Sequence, residues 1–171
     1  MTRIRAGLLL VALGTILGTL PFSAIAADDS RSMESVEAMP AGYRDWKLIS
    51  VAHEEGSLND IRAILGNEIA VNAYRNGVLP FPDGAIVARL AWRYIPSEEN
   101  NRAFGRAQSF VAGEPTNVQF MIKDAKRYAS TGGWGFVQFN DGKPAHMDAK
   151  ACFACHVPVK DRDFLFTRYS P

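Results

Sequence analysis

Both cysteines of the 171-residue chain fall inside one pentapeptide near its C-terminus, Cys152-Phe153-Ala154-Cys155-His156. No other feature narrows the possible folds as much, because two thiols and an imidazole at this spacing form the attachment signature of a c-type haem. On a turn of helix Cys152 and Cys155 lie three positions apart and His156 four from Cys152, so all three share a face. That face offers two thiolates to a porphyrin's vinyl groups and an imidazole to its iron. The spacing therefore predicts one covalent haem c, attached at Cys152 and Cys155, with His156 as the axial metal ligand. A bare C-x-x-C also serves dithiol redox motifs, disulfides and half zinc sites, and these alternatives stay open beside haem. Zinc would have to recruit His53 or His146, since the chain has no second cysteine pair.

The N-terminus supplies a second constraint. Met1-Thr2-Arg3-Ile4-Arg5 is basic, Ala6 to Leu20 is apolar, and Ala24-Ile25-Ala26 has the small-x-small form of a processing site. This pattern predicts a secretory signal peptide over residues 1–26, cleaved after Ala26, and a periplasmic mature protein. The competing reading is a retained anchor. The apolar run is shorter than the roughly 20 residues that span a bilayer, and Gly14, Gly18 and Pro21 interrupt it, so no membrane attachment is expected after cleavage. Export agrees with the haem motif, since bacteria attach c-type haem after translocation. Cleavage removes Arg3 and Arg5, so 19 basic side chains fall to 17 against 18 acids. That balance argues against nucleic acid or an anionic membrane surface as a partner. Residues 27–40 lack a periodic apolar face and read as a flexible arm, leaving 41–171 as one haem domain.

Within that domain, alternation predicts strands at Trp46–Ala52 and Ile61–Leu65, the second with Arg62 and Ile64 on one face. Asn67 to Asn76 reads as a helix, capped by Asn67 and stopped by Gly77. Pro80-Phe81-Pro82-Asp83-Gly84 is turn chemistry, followed by a long strand from Ala85 to Tyr94. In that strand Ile86, Ala88, Leu90 and Trp92 share one face and Val87, Arg89 and Arg93 the other, which needs solvent or a counter-charge such as a haem propionate. Pro96–Asn101 reads as a polar loop, Gln108–Ala112 and Asn117–Lys123 as two strands, and Asp124–Ala129 as a turn or two of helix. Trp134–Phe139 is an aromatic strand, Asp148–His156 the haem-attachment helix, and Asp161–Pro171 an aromatic tail. The expected class is mainly β or α+β, an antiparallel sheet with few helices and a C-terminal attachment helix.

Several segments together resemble the cytochrome P-460 family, which includes the β-type cytochromes c prime. They are Tyr43-Arg44-Asp45-Trp46, Asp83-Gly84 before the long strand, Lys123-Asp124-Ala125-Lys126-Arg127-Tyr128 and Trp134-Gly135-Phe136. The pentapeptide and Asp163-Phe164-Leu165-Phe166-Thr167-Arg168-Tyr169 complete the set, so the likeness runs from about Tyr43 to Pro171. It implies an antiparallel sheet, a c-type haem on His156, an open distal side and often a homodimer. It also implies one of two activities: hydroxylamine oxidation by members with a Lys bonded to the haem edge, or binding of nitric oxide and similar gases by members without that bond. Aligning the Asp83-Gly84 turn puts Arg89 at the Lys position, and a guanidinium does not supply the same amine bond. In the strand where some oxidising members place a distal carboxylate, this chain has Gln119 and Phe120. Arg62 matches a position where the family carries an Arg, giving Arg62, Arg89, Gln119 and Phe120 as candidate distal residues.

An iron with one protein ligand keeps a sixth position whose use depends on the wall facing it. Phe110, Val118, Phe120, Phe136 and Phe139 are the candidate wall, which predicts an apolar pocket suited to neutral nitrogen oxides. His53, His146, Met121 and Met147 are the residues that could fill the position instead, making a six-coordinate electron-transfer cytochrome. Either protein needs a periplasmic redox partner.

Overall fold

The computed structural model describes Val36 and residues 38–170. The expected signal peptide and residues 27–35 and 37 of the expected arm lie outside the described residues. Val36 and Met39, at the end of that arm, pack against apolar side chains of the domain.

The six strands are β1 (Lys47–Glu54), β2 (Asp60–Gly66), β3 (Ile86–Pro96), β4 (Phe110–Lys123), β5 (Trp134–Asn140) and β6 (Lys143–Ala145). They form one sheet in the order β1 to β6, each pairing antiparallel with its neighbour in sequence. The helices are α1 (Glu68–Asn76), α2 (Glu98–Phe104) and α3 (Ala149–His156). No helix among the described residues is long and apolar enough to cross a membrane. The class is α+β, as the alternation and the C-terminal motif predict.

Register assigns every side chain to a face, because successive residues of a strand point to opposite sides. Gly66, Val87, Met121 and Phe136 form one cross-strand row; Ile64, Arg89, Gln119 and Gln138 form the next row on the same face. This face carries α1 and α3 and buries Ile49, Ile64, Val71, Val87, Trp134 and Phe136. The opposite face buries Leu65, Ala88, Leu90, Phe120 and Phe139 beneath Tyr43, with Trp46 alongside.

α1 forms where its cap dictates. Asn67 Oδ1 accepts N–H groups of Ala70 at 3.0 Å and Ile86 at 3.1 Å, so one side chain closes the helix start and fixes it to β3. Ala70, Val71 and Ala73 are buried, and Gly77 ends the helix at φ 63°. Several segments differ from the sequence reading, among them the short strand β6, which it does not include. Pro96–Asn101 is not a plain loop, since Ser97 caps α2 by accepting from the Asn100 N–H. The two strands expected around Gly113-Glu114-Pro115 are one, β4, whose irregular register against β3 at Trp92 accommodates the proline. Asp124 does accept from the N–H groups of Lys126 and Arg127, yet only turns and a short 3-10 segment, Ala129–Thr131, follow it.

Candidate functional site

α3 begins at Asp148, whose carboxylate accepts the Lys150 N–H at 2.9 Å and favourably opposes the helix dipole. Ala149 is buried under it, Cys152 is half-buried against the core, and Cys155 is exposed. Both cysteines are free thiols, so no disulfide joins them. Burial pushes the Cys152 thiol above its ordinary value, and the Asp148 carboxylate adds to the shift.

His156, the last residue of α3, lies between two rings: Phe136 of β5 at 5.1 Å and Phe166 of the tail at 5.0 Å between centroids. Its Nδ1 is 2.6 Å from the Phe164 carbonyl oxygen. A carbonyl only accepts, so the proton sits on Nδ1 and the Nε2 lone pair remains available. Burial lowers the imidazole's proton affinity, against the opposing pull of the Phe164 hydrogen bond, and favours the neutral ring a metal needs. An imidazole oriented through its second nitrogen by a backbone carbonyl is the arrangement of a ligating histidine. With two free thiols on the same helix, this donor set fits a haem.

The Phe164 carbonyl reaches His156 because of how the tail turns. A 3-10 segment, Val157–Arg162, ends at Asp163, and both Asp163 (φ 51°) and Phe164 (φ 65°) are left-handed. The tail then packs back on the sheet, with Leu165 buried and the Ser170 N–H donating to the Ile49 carbonyl of β1 at 2.9 Å.

Beyond Phe136 on the same face the surface becomes polar. Gln138 is two residues along β5, about 7 Å at the rise of an extended chain. From there a hydrogen-bonded row runs across the sheet: Gln138 accepts from Gln119 at 2.7 Å, and Arg89 donates to Gln119 at 3.2 Å and to Asn117 at 2.7 Å. Arg89 also donates to Asp60 Oδ2, while Asp60 Oδ1 accepts two bonds from Arg62 at 2.8 and 2.7 Å. Asp60 is 2 % exposed, so two guanidiniums are locked by one buried carboxylate. Burial, then the neighbouring Arg62, push the Arg89 guanidinium below its ordinary value, and Asp60 opposes both.

The structure thus gathers Arg62, Arg89 and Gln119 on the face that carries α3, and does not bring Phe120 there. Phe120 points to the opposite face, where it meets Tyr43, Trp46 and Phe139 edge-on. Val118 and Phe139 point the same way, since both are in register with Phe120's side of the strands, and Phe110 stacks on Tyr94 at the far end of β3. Of the expected aromatic wall only Phe136 faces His156, and the wall beyond it is polar. Asp60 is the charged residue of this row that sequence reasoning misses, together with the amides of Asn117 and Gln138. Its position at the start of β2, two residues before Arg62 on the same face, was the available signal.

Among possible further ligands, His53 stacks on Tyr94 at 3.8 Å and His146 is exposed. Met121 packs in the row of Phe136, and Met147 packs against the same core. Among the described residues no group of three or more His, Cys, Asp or Glu side chains is set to hold a metal ion. Two cavities, of about 320 and 360 Å³, lie on the opposite face and between α1 and the tail; Cys152, Cys155 and His156 line neither.

No curated protein matches the chain. The family model for cytochrome P460 matches residues 40–167, a span that takes in the whole sheet, α3 and the tail as far as Thr167. With its sheet, its C-x-x-C-H helix and its oriented histidine accounted for over that span, the chain belongs to the cytochrome P460 family of haem proteins.

Proposed function

We propose that this is an exported, periplasmic monohaem c-type cytochrome that binds or processes small nitrogen oxides such as nitric oxide and hydroxylamine. Cys152 and Cys155 hold the haem through thioether bonds and His156 ligates its iron through Nε2. The observation that carries this reading is the commitment of His156 Nδ1 to the Phe164 carbonyl, which leaves one nitrogen, on the helix of both thiols, for a metal. The bound haem supplies a redox-active iron able to take a small ligand. Arg89 and Gln119 offer N–H groups to the polar end of a nitrogen oxide, and Asp60 holds the guanidiniums in place. Both Asp60 oxygens are engaged by arginines, so the row favours hydrogen bonding to a ligand over free proton uptake.

A second reading has one observation behind it. Met121 lies in the same row as Phe136, and a thioether there as sixth ligand would make the protein a six-coordinate electron carrier. Optical and magnetic spectra of the reduced holoprotein, with and without nitric oxide, decide between them. Ready ligand uptake by a high-spin iron is the expected result; a low-spin spectrum indifferent to nitric oxide selects the electron carrier. His156→Ala should abolish the axial ligation while thioether-linked haem remains detectable by mass. Polypeptide carrying no thioether-linked haem, after expression with working attachment machinery, overturns the whole reading.

A further inference from the structure

We infer that the buried ion pair Lys123–Asp163 is a positioning device for the axial imidazole, acting through the Phe164 carbonyl. The inference rests on His156 being the iron ligand, as proposed above, and adds residues that touch neither haem nor substrate. Lys123 ends β4 at 4 % exposure, and Asp163 opens the tail at 8 %. The Lys123 ammonium donates to both carboxylate oxygens, at 2.8 and 2.9 Å, and lies 3.3 Å from the Gly132 carbonyl. Asp163 Oδ2 also accepts the Phe81 N–H at 2.8 Å. One pair of charges therefore binds four separate segments: the end of β4, the loop before β3, the turn at Gly132 and the tail.

Stability alone is a weak reason to bury two charges, since well-packed apolar side chains serve as well or better. Location gives the stronger reason. Asp163 is followed directly by Phe164, and both hold left-handed backbone that side chains with a Cβ adopt only under constraint. The ion pair grips the first of these residues. The ring of the second fills the space over Gly132, where an added Cβ would run into it. With Phe164 held on both sides, its carbonyl keeps a fixed aim at His156 Nδ1, 2.6 Å away. A strong, fixed acceptor on Nδ1–H makes the imidazole a more basic ligand and stabilises the oxidised iron.

The test uses the full-length holoprotein. Asp163→Asn should move the iron–imidazole stretch of the ferrous protein to lower frequency in resonance Raman spectra and shift the reduction potential upward. Lys123→Arg, which keeps the charge, should stay near wild type in both. Phe139→Leu, in the core of the opposite face, should lose stability while moving neither, so that general loosening is distinguished from positioning. An Asp163→Asn protein with attached haem and unchanged stretch and potential overturns the inference. Should that variant carry no haem, exchange of the His156 Nδ1 proton in the wild-type holoprotein decides: protection from solvent supports the inference, and exchange as fast as in free imidazole overturns it. Absence of an iron–imidazole stretch in a ferrous wild type whose optical spectrum is five-coordinate and high-spin refutes His156 as ligand, a separate failure that belongs to the parent proposal.

Discussion

Replacing Asp60 by Ala probes the polar row most sharply. The carboxylate accepts two bonds from Arg62 and one from Arg89, and those side chains are only 14 % and 15 % exposed. Its removal leaves two facing guanidiniums with a shared acceptor gone. Glu54, 3.5 Å from Arg62 and half exposed, is a poor replacement, and Arg89 keeps only the amides of Asn117 and Gln119. Breaking a buried pair by deleting one partner costs about 3–5 kcal/mol, and the partial exposure of the arginines points to the lower end. At roughly 2–4 °C per kcal/mol, the melting temperature should fall by on the order of 10 °C. Urea unfolding should show a lowered midpoint with an unchanged slope, the sign of lost stability without loss of compactness. Combining Asp60→Ala with Arg89→Leu should cost less than the two single changes added together, because each already removes the same bond. A loss below about 1 kcal/mol for Asp60→Ala, or strict additivity in the double variant, refutes the reasoning.

Two other outcomes follow from particular residues. Gly132→Ala meets both a left-handed backbone (φ 67°) and the Phe164 ring, so it should destabilise the fold by about 1–3 kcal/mol in thermal melts and lower the yield of correctly ligated holoprotein. Tyr74 donates its hydroxyl to the Thr167 carbonyl at 3.3 Å, and burial raises its pKa well above the ordinary 10.0, with Arg162 opposing. A raised folded-state value means that its contribution is complete below about pH 10 and lost as pH climbs toward the folded value. Alkaline titration of stability should therefore slope downward above about pH 10, and Tyr74→Phe should flatten that slope.

The locations of β1, β2, β3 and β5, the faces of β2 and β3, the cap of α1 and the α3 motif are legible because each rests on local periodicity or on a neighbouring residue. The failures share a cause as well. α2 buries none of its residues, so it left no apolar stripe, and only Ser97 and Gly105 marked its ends. Residue type alone puts Phe120 on the apolar wall, whereas the register of β4 sends Phe120 and Gln119 to opposite faces. Asp60 looked like the end of a polar loop, because its burial depends on Arg89, 29 residues away on another strand. Lys123 and Asp163 are separated by 40 residues, and nothing near either one announces a partner.

Because each strand's partner is its immediate successor along the chain, the sheet can zip shut in the order in which it is synthesised, with small loop-closure cost at each step. The segment bearing the thiols comes last, and its final anchor, Ser170 on Ile49, closes back onto the first strand. Chain order thus puts the pairing of the strands before the packing of α3 and the tail on one of their faces. Attachment of the proposed haem would then fall on the segment that settles last, with the paired strands already standing.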